Sequence, residues 1–172
     1  LNLPAWQAMK AIGLADARGQ ARFVSAQVYY SLVGRDIERE LVPLAADQHL
    51  AILPWSPLAG GSLSGKYDAS GTGPDGARRT KFNFPPVDQA RLAAVLDVLR
   101  TVSAETGHSV PRLALAWLLT RPFVTSVILG AKTQEQLEDN LAAADVVLSE
   151  AHIAALDAAS ALPAEYPAWM VT

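Results

Sequence analysis

The sequence contains no cysteine among its 172 residues, which excludes disulfide bridges and thiol chemistry. It also lacks a basic tract, and a net charge of -3 gives no indication of nucleic-acid binding. No apolar run approaches the roughly 20 residues that a membrane-spanning helix needs. No charged segment followed by an apolar one stands at the N-terminus, as a signal peptide would require. We therefore expect a soluble cytoplasmic protein.

The composition indicates an ordered globular chain, because 51% of the residues are apolar and only 18% are charged. The length suits one domain with a substantial core, and no break in composition divides it, so we treat residues 1–172 as a single domain. The 3 histidines lack the spacing of metal ligands. There is no glycine-rich dinucleotide motif, phosphate-binding P-loop or Ser-His-Asp set. No metal site is predicted, and no catalytic residue is assigned.

Helical periods alternate with short apolar runs along the chain. The runs at 23–28, 51–55 and 125–129 predict strands. The helical periods begin at residue 4, extend over 36–49 and 88–105, and start again after the capping residues Ser109, Thr133 and Ser149. Residues 60–84 predict one long loop. This alternation is typical of βα units around a parallel sheet, here with about three strands.

Ligands of parallel α/β folds bind at the carboxyl ends of the strands. The residues there are Gln27, Trp55, Gly130 and Lys132. Gln27 can donate to and accept from an amide, and Trp55 offers a flat face to an aromatic ring. Gly130 permits close approach to the backbone, and Lys132 precedes a helix N-terminus that favours anions. The set suits an aromatic ring with a carboxamide at one end and a phosphate at the other.

Each of these residues also has a purely structural interpretation. Trp55 can be a core aromatic residue, and Gln27 can be a satisfied polar residue of a strand. Lys132 can be a solvated surface charge, as can the basic residues of the long loop. Gln136 can be the capping-box partner of Thr133. These alternatives stay open at the level of single residues.

Four segments in order resemble the aldo-keto reductases. Residues 2–7 are similar to the family's SNxxxWQ segment, and residues 26–32 to its QxxYSL segment. Residues 55–67 resemble its WSPLAxGxLSGKY signature, and residues 127–140 its VIxGAxxxEQLxxN cofactor segment. The tryptophan at 55 and the Gly-Ala-Lys sequence resemble the bacterial branch that is similar to the β subunits of potassium channels. The resemblance covers essentially the whole chain.

The resemblance implies an α/β fold that is part of a TIM (β/α)8 barrel, which typically takes ~250 residues or more. The chain is similar to the C-terminal half, with about three parallel strands and flanking helices. By analogy it begins at the end of the fifth strand and supplies strands six, seven and eight. A half-barrel leaves open strand edges and an uncovered core face, so we expect self-association or pairing with an N-terminal half-barrel.

The resemblance also implies a binding site for NADP(H). Asn2 and Gln27 would hold the nicotinamide carboxamide, and Trp55 would stack on the ring. Lys132 would pair with the 2′-phosphate. The pyrophosphate would lie against the loop after Trp55, and the adenosine against the end of the last cofactor segment. In full, the expected cofactor residues are Asn2, Gln27, Trp55, Ser56, Pro57, Leu58, Ala59, Gly60, Lys66, Arg79 (or Arg78), Gly130, Lys132, Gln136, Asp139 and Asn140.

The sequence departs from the family in two ways. The family usually has Ser before the asparagine, where this chain has Leu1. No residue matches the family's catalytic Asp, Tyr, Lys and His. The resemblance therefore implies the cofactor-binding C-terminal half of an NADPH-dependent reductase of aldehydes or ketones, inactive when isolated. The alternatives are a non-catalytic half-barrel that binds a nucleotide or docks on a partner, and an inactive truncated product.

Overall fold

A computed structural model describes residues 2–67 and 82–170 of the chain. Two parallel strands and six α-helices alternate over the described residues. They are α1 Ala5–Ala17, β1 Ser25–Tyr29, α2 Leu41–Gln48, β2 Ala51–Trp55, α3 Gln89–Thr106, α4 Val110–Leu119, α5 Gln134–Leu141 and α6 Glu150–Ala159. Short 3-10 turns lie at Asp36–Glu38, Ala59–Ser64, Ala142–Asp145 and Ala168–Met170. The predicted α/β alternation is confirmed.

The predicted helix starts are confirmed by their side-chain caps. Ser109 Oγ accepts from the Arg112 N–H at 3.2 Å, and Thr133 Oγ1 accepts from the Gln136 N–H at the same distance. Ser149 caps α6 in the same way. Each cap satisfies one backbone donor that the first turn leaves unpaired. Local residue chemistry therefore fixes where α4, α5 and α6 begin.

The sheet has one covered face and one open face. β1 and β2 pair in parallel, with Gln27 opposite Leu53 and Tyr29 opposite Trp55. The covered face packs on α1 and α2 in a core of Ile12, Ala26, Val28, Leu41, Ala45, Leu50 and Ile52. On the opposite face Gln27 is exposed, while Leu53 and Trp55 are half-buried. The alternation of side chains along a strand produces this division.

The prediction of a third strand at 125–129 is wrong, because this part of the chain forms isolated bridges to β2 and not a regular strand. Ile52 bridges Val124 and Trp55 bridges Ile128, both in parallel. The two bridge positions are three residues apart on β2 and four apart on the other segment, as in a β-bulge. Pro54 lies between them, and its carbonyl accepts from the Ile128 N–H at 2.8 Å. The N–H of residue 54 would point toward the same neighbouring segment, but proline has none. The hydrogen-bond ladder between β2 and residues 124–128 is therefore interrupted at Pro54.

A second core lies among α3, α4 and α6. Trp117, Leu113, Leu99 and Leu156 are fully buried in it, and Leu63 of the Ala59–Ser64 turn joins them. The prediction that α4 is apolar on most sides is confirmed, because its residues from Leu113 to Leu118 are all buried. The turn after β2 and helix α4 both pack into this core, so it holds in place the elements that bear part of the predicted site.

The predicted loop at 60–84 is described only at its two ends. Its beginning is helical, because the 3-10 turn covers Ala59–Ser64. Residues 68–81 lie outside the described part of the chain, and with them the predicted cofactor residue Arg79 and its alternative Arg78. Within the described residues, no helix combines the length and apolarity needed to cross a membrane.

Candidate functional site

The carboxyl end of β2 runs into a turn with unusual backbone angles. Ser56 has a φ of 51° and Ala59 a φ of 50°, and Gly60 and Gly61 follow with φ values of 66° and 98°. Left-handed angles are uncommon for residues other than glycine, and such strained positions cluster at ligand-binding and catalytic sites. The Ser56 Oγ accepts from the Gly60 N–H at 2.9 Å, which holds the turn closed. The residues that follow Trp55 therefore form a tight, hydrogen-bonded turn at the end of β2.

Trp55 lies at the centre of a small aromatic group. Its Nε1 donates to the Asn2 Oδ1 at 3.1 Å. Tyr29 lies beside it, with ring centroids 5.2 Å apart and a tilt of 36°. Phe84 stacks on it almost in parallel, with centroids 5.8 Å apart and an interplanar angle of 11°. The structure thus brings together two predicted site residues, Asn2 and Trp55, from distant parts of the sequence.

Gln27 lies on the same open face of the sheet as Trp55. It pairs with Leu53 in the register of the two strands, two positions before Tyr29 and Trp55. Its side chain is exposed on that face. The Gln27 amide, which carries both a donor and an acceptor, therefore lies on the same face of the sheet as the Trp55 ring.

The side chains of the turn divide into buried and exposed ones. Pro57 and Ala59 are buried, and Ala59 belongs to the second core. Ser56, Leu58 and Gly60 are half-buried, while Lys66 is exposed. The Lys66 Nζ lies 5.5 Å from the centroid of the buried Tyr67 ring. Pro57 and Ala59 can therefore shape the turn, and Lys66 is its accessible cation.

Gly130 and Lys132 follow the Trp55–Ile128 bridge, so they lie at the same end of the sheet as the turn. Both are exposed. A Cβ added at Gly130 would meet nothing within 4 Å among the described residues. The Lys132 backbone N–H donates to the Gln136 Oε1 at 3.0 Å. The Gln136 side chain thus caps the helix as in a capping box, but it accepts from the residue before the N-cap Thr133 and not from Thr133 itself. The N–H groups of the Gln136 side-chain amide are not used in this bond.

Asp139 and Asn140 lie in the last turn of α5 in different surroundings. The Asp139 carboxylate pairs with Arg112 Nη2 at 2.6 Å through Oδ1, and its Oδ2 accepts from Ser109 Oγ at 2.6 Å. Asn140 is buried to 7% exposure, and its side chain makes no hydrogen bond to any other described residue. The sequence analysis missed Arg112, although its position three residues after the cap Ser109 places both on the first turn of α4.

A partly buried charge cluster after β1 was also missed. Trp117 lies between Arg35 and Arg121, whose guanidinium carbons are 5.2 and 4.6 Å from its ring centroid. Its Nε1 donates to Asp157 Oδ1 at 3.0 Å, and Arg121 Nη1 pairs with the same oxygen at 3.1 Å. These contacts tie α4 to α6. They involve none of the predicted site residues.

Tyr30 joins this cluster through Glu38. Its hydroxyl donates to Glu38 Oε1 at 2.5 Å, and its side chain is fully buried. Burial, followed by the hydrogen bond and the charge of Glu38, raises the pKa of Tyr30 far above its ordinary value. Burial lowers the pKa of Arg35, but the hydrogen bond and charge of Glu38 outweigh it, so that pKa is raised as well. Tyr30 therefore stays protonated and has a structural role.

Comparison with known proteins places these observations in one family. The sequence profile of the aldo/keto reductase family matches residues 2–161. The uncharacterized oxidoreductase YrpG of Bacillus subtilis is 36% identical over 149 residues, which is 87% of this chain and 44% of that protein. A probable voltage-gated potassium channel subunit beta of Arabidopsis thaliana is 35% identical, over 83% of this chain and 45% of that protein.

The name of a third relative includes a cofactor. The NADH-specific methylglyoxal reductase of Escherichia coli is 34% identical over 125 residues, which is 73% of this chain and 38% of that protein. The chain spans less than half the length of the curated relatives that it matches here.

Proposed function

The chain belongs to the aldo/keto reductase family of oxidoreductases, and from this premise we propose that it is the cofactor-binding C-terminal half of an NADPH-dependent carbonyl reductase. The observation that carries the proposal is the meeting of Asn2 and Trp55 at the carboxyl end of β2, where their side chains hydrogen-bond at 3.1 Å. The relatives are about twice as long as the matched segment, which supports an additional half outside residues 1–172. We propose a cytoplasmic protein.

The residues present fit a nicotinamide dinucleotide at both ends. Phe84 stacks on the Trp55 ring in near-parallel orientation, which is the arrangement that a nicotinamide ring would adopt there. At the other end, Asn140 is nine-tenths buried yet makes no side-chain hydrogen bond within the described part of the chain. Its amide atoms are not among the buried unpartnered ones, of which Arg112 Nε is the example in the described part of the chain, so they still reach solvent and can pair with a ligand. These features favour a ring at Trp55 and a polar heterocycle at Asn140.

At the nicotinamide end, the chain's residues would hold and orient the ring. Asn2 and Gln27 would pair with the carboxamide, since each offers both a donor and an acceptor. Trp55 would stack on one face of the ring and so decide which face meets the substrate. When bound, the cofactor supplies a hydride to a carbonyl carbon.

Away from the nicotinamide end, the residues suit phosphates and adenosine. The backbone of the turn after Trp55, with Ser56, Leu58, Gly60 and Lys66, would line the pyrophosphate, and Arg79 would clasp it. Lys132, exposed before α5, would pair with the 2′-phosphate and so favour NADPH over NADH. Gln136, Asp139 and Asn140 would contact the adenosine.

Proton transfer would come from outside this segment. The family tetrad has no match in residues 1–172, and the buried Tyr30 cannot reach a ligand at the open face. We therefore propose that the acid and base groups for an aldehyde or ketone substrate belong to an N-terminal half. The chain alone would bind cofactor without turning substrate over.

The open sheet face supports a second part of the proposal. Gln27 is exposed on it, and Leu53 and Trp55 are only half-covered. We propose that an N-terminal half-barrel or a second copy of the chain covers this face. A monomer peak in size-exclusion chromatography with one cooperative melting transition would overturn this part. Association, or a shift on mixing with an N-terminal half, would support it.

The intact mass of the native polypeptide in its source cell tests the half-barrel proposal. A mass about twice the 18.3 kDa of this chain, as a complete barrel requires, is the expected result. A mass of 18.3 kDa would overturn it. Function would then lie in nucleotide binding or partner docking by the chain itself.

A further inference from the structure

A cavity of about 510 Å³ lies between the C-terminal tail that follows α6 and the starts of the first two helices. Pro4 and Ala5 line it at the start of α1. Glu40 and Leu41 line it at the start of α2, and Tyr166 lines it from the tail. Its volume is that of a small-molecule site. None of the proposed cofactor residues that the structure describes lines it, so the cavity still needs an explanation.

One ion pair joins the tail to the wall of this cavity. Arg39 Nη1 pairs with Glu165 Oε2, and both residues line the cavity. The Arg39 side chain is 23% exposed and that of Glu165 is 59% exposed, so a largely buried cation faces a carboxylate that is open to water. Asp36 Oδ1 lies farther away, 3.9 Å from Arg39 Nε, and its side chain is 75% exposed. Among the described residues, Glu165 is therefore the close anionic partner of Arg39.

The backbone around that pair favours negative charge. The N-cap and the first residue of both α1 and α2 line the cavity, and neither helix has a side-chain cap among the described residues. By contrast, Ser109, Thr133 and Ser149 cap their helices. The uncapped N–H groups and the helix dipoles place partial positive charge at the cavity, to which Arg39 adds a full charge. Glu40 opposes this charge, but it is exposed and therefore screened.

The tail itself shows which chemistry the cavity accepts. The carboxylate of Glu165 is followed directly by the aromatic ring of Tyr166 and by Pro167, and all three residues line the cavity. The tail thus presents a carboxylate next to an apolar body. Tyr166 nevertheless stays 76% exposed, and an ion pair open to water contributes little to stability. A free ligand that carries the same two groups can therefore compete with the tail.

We propose that the cavity binds small carboxylates that carry an apolar ring, and that the ligand carboxylate displaces Glu165 from Arg39. Guanidinium groups bind carboxylates through two parallel N–H groups, which Arg39 supplies. The ring of the ligand contacts the apolar wall formed by Leu3, Ile37 and Leu41. This site goes beyond the proposed cofactor function, and its test stands whether or not the chain binds NADPH.

Calorimetric titration of the full 172-residue chain with phenylacetate and with benzylamine tests the proposal. The two probes share a phenyl ring and a methylene group and differ in the sign of their charge. The chain is expected to bind phenylacetate at one site, and benzylamine at least about tenfold more weakly. Arg39→Met is expected to weaken phenylacetate binding by about tenfold. Arg39→Lys, which keeps the charge but not the paired N–H groups, is expected to weaken it less.

Removal of the competing carboxylate separates displacement from a general charge effect. Glu165→Gln releases Arg39 and is expected to tighten phenylacetate binding by about fivefold, the size of one partly exposed ion pair. Glu40→Gln is the matched control, because it removes the same charge from the cavity lining at a residue that forms no ion pair with Arg39 in the described part of the chain. Its gain is expected to stay below about twofold, since exposed charges are screened.

Absence of phenylacetate binding to the unmodified chain overturns the proposal. Binding that Arg39→Met leaves unchanged overturns it too, as do equal gains from Glu165→Gln and Glu40→Gln. Tighter binding of benzylamine than of phenylacetate contradicts the assigned charge and has the same consequence. If Arg39→Met does not melt cooperatively, the two glutamine variants decide, because both change exposed side chains.

Discussion

Asn2 and Trp55 are 53 positions apart in the sequence, and the Trp55 indole donates to the Asn2 side chain at 3.1 Å. The bond joins the segment before α1 to the end of β2. It brings the polar group expected for a carboxamide next to the ring expected to stack on a nicotinamide. Two residues of the proposed nicotinamide end, Asn2 and Trp55, are therefore already in contact.

Trp55→Ala tests the stacking role directly. Loss of the indole removes both the stacking face and the hydrogen bond to Asn2, so NADPH affinity is expected to fall about tenfold. Quenching of tryptophan emission by NADPH is expected to be largely lost. Trp169→Ala removes an exposed indole of the C-terminal tail and is the control, with affinity unchanged. Unaltered affinity and quenching in Trp55→Ala would remove Trp55 from the site.

Gly34→Ala tests how Tyr29 supports Trp55. A Cβ at Gly34 would lie 2.3 Å from Tyr29 Cε1, so the ring must move. Because Tyr29 packs on Trp55 at 5.2 Å and its hydroxyl pairs with Ser31 Oγ at 3.0 Å, we expect a loss of about 1–3 kcal/mol in the free energy of unfolding. Tryptophan emission should change with it.

Gly13→Ala is the matched control for this substitution. Gly13 lies in the middle of α1, and an added Cβ there meets nothing within 4 Å among the described residues. It is expected to raise the free energy of unfolding by up to about 1 kcal/mol, because alanine has the higher helix propensity. Equal effects of the two substitutions in urea unfolding would contradict the predicted clash with Tyr29.

Tyr30→Phe tests the buried hydroxyl after β1. The pKa of Tyr30 is raised in the folded chain by burial and by Glu38, so its contribution to stability is complete below its unfolded pKa of about 10. Above that pH the unfolded chain releases the proton and the folded chain keeps it. The free energy of unfolding should then fall by about 1.4 kcal/mol for each pH unit on account of this group.

Urea unfolding at several pH values between about 8 and 11.5 measures this effect. Tyr30→Phe should show a shallower fall above pH 10 than the unmodified chain. Tyr166→Phe, which removes an exposed hydroxyl, is the control and should keep the unmodified slope. The same slope in Tyr30→Phe and the unmodified chain would rule out this role for Tyr30.

Local patterns predicted much of the fold, because the forces that set them act over a few residues. β2 occupies the predicted residues 51–55, and the caps at Ser109, Thr133 and Ser149 lie where the sequence places them. The irregular segment at 124–128 was not predictable in this way. We attribute the irregular pairing to the missing N–H of Pro54, which affects a segment about 70 positions later in the chain that only the fold brings next to β2.

The candidate site also has a part that the sequence predicted and a part that it did not. Motif resemblance named Asn2, Gln27 and Trp55; the structure joins Asn2 to Trp55 at the end of β2, and places Gln27 on the same face in the middle of β1. The Arg112–Asp139 pair and the Phe84–Trp55 stack were missed, since both join residues that no local pattern connects. Such contacts depend on how the helices and loops pack together.

The most direct test of the central claim is calorimetric titration of the chain and of Lys132→Ala with NADPH and with NADH. We expect one site per chain for NADPH, and a loss in Lys132→Ala that is about tenfold larger for NADPH than for NADH, because only NADPH carries the 2′-phosphate. Lys10→Ala, an exposed lysine of α1, is the control and should alter neither. Absence of NADPH binding, or equal losses for both dinucleotides, would contradict the account.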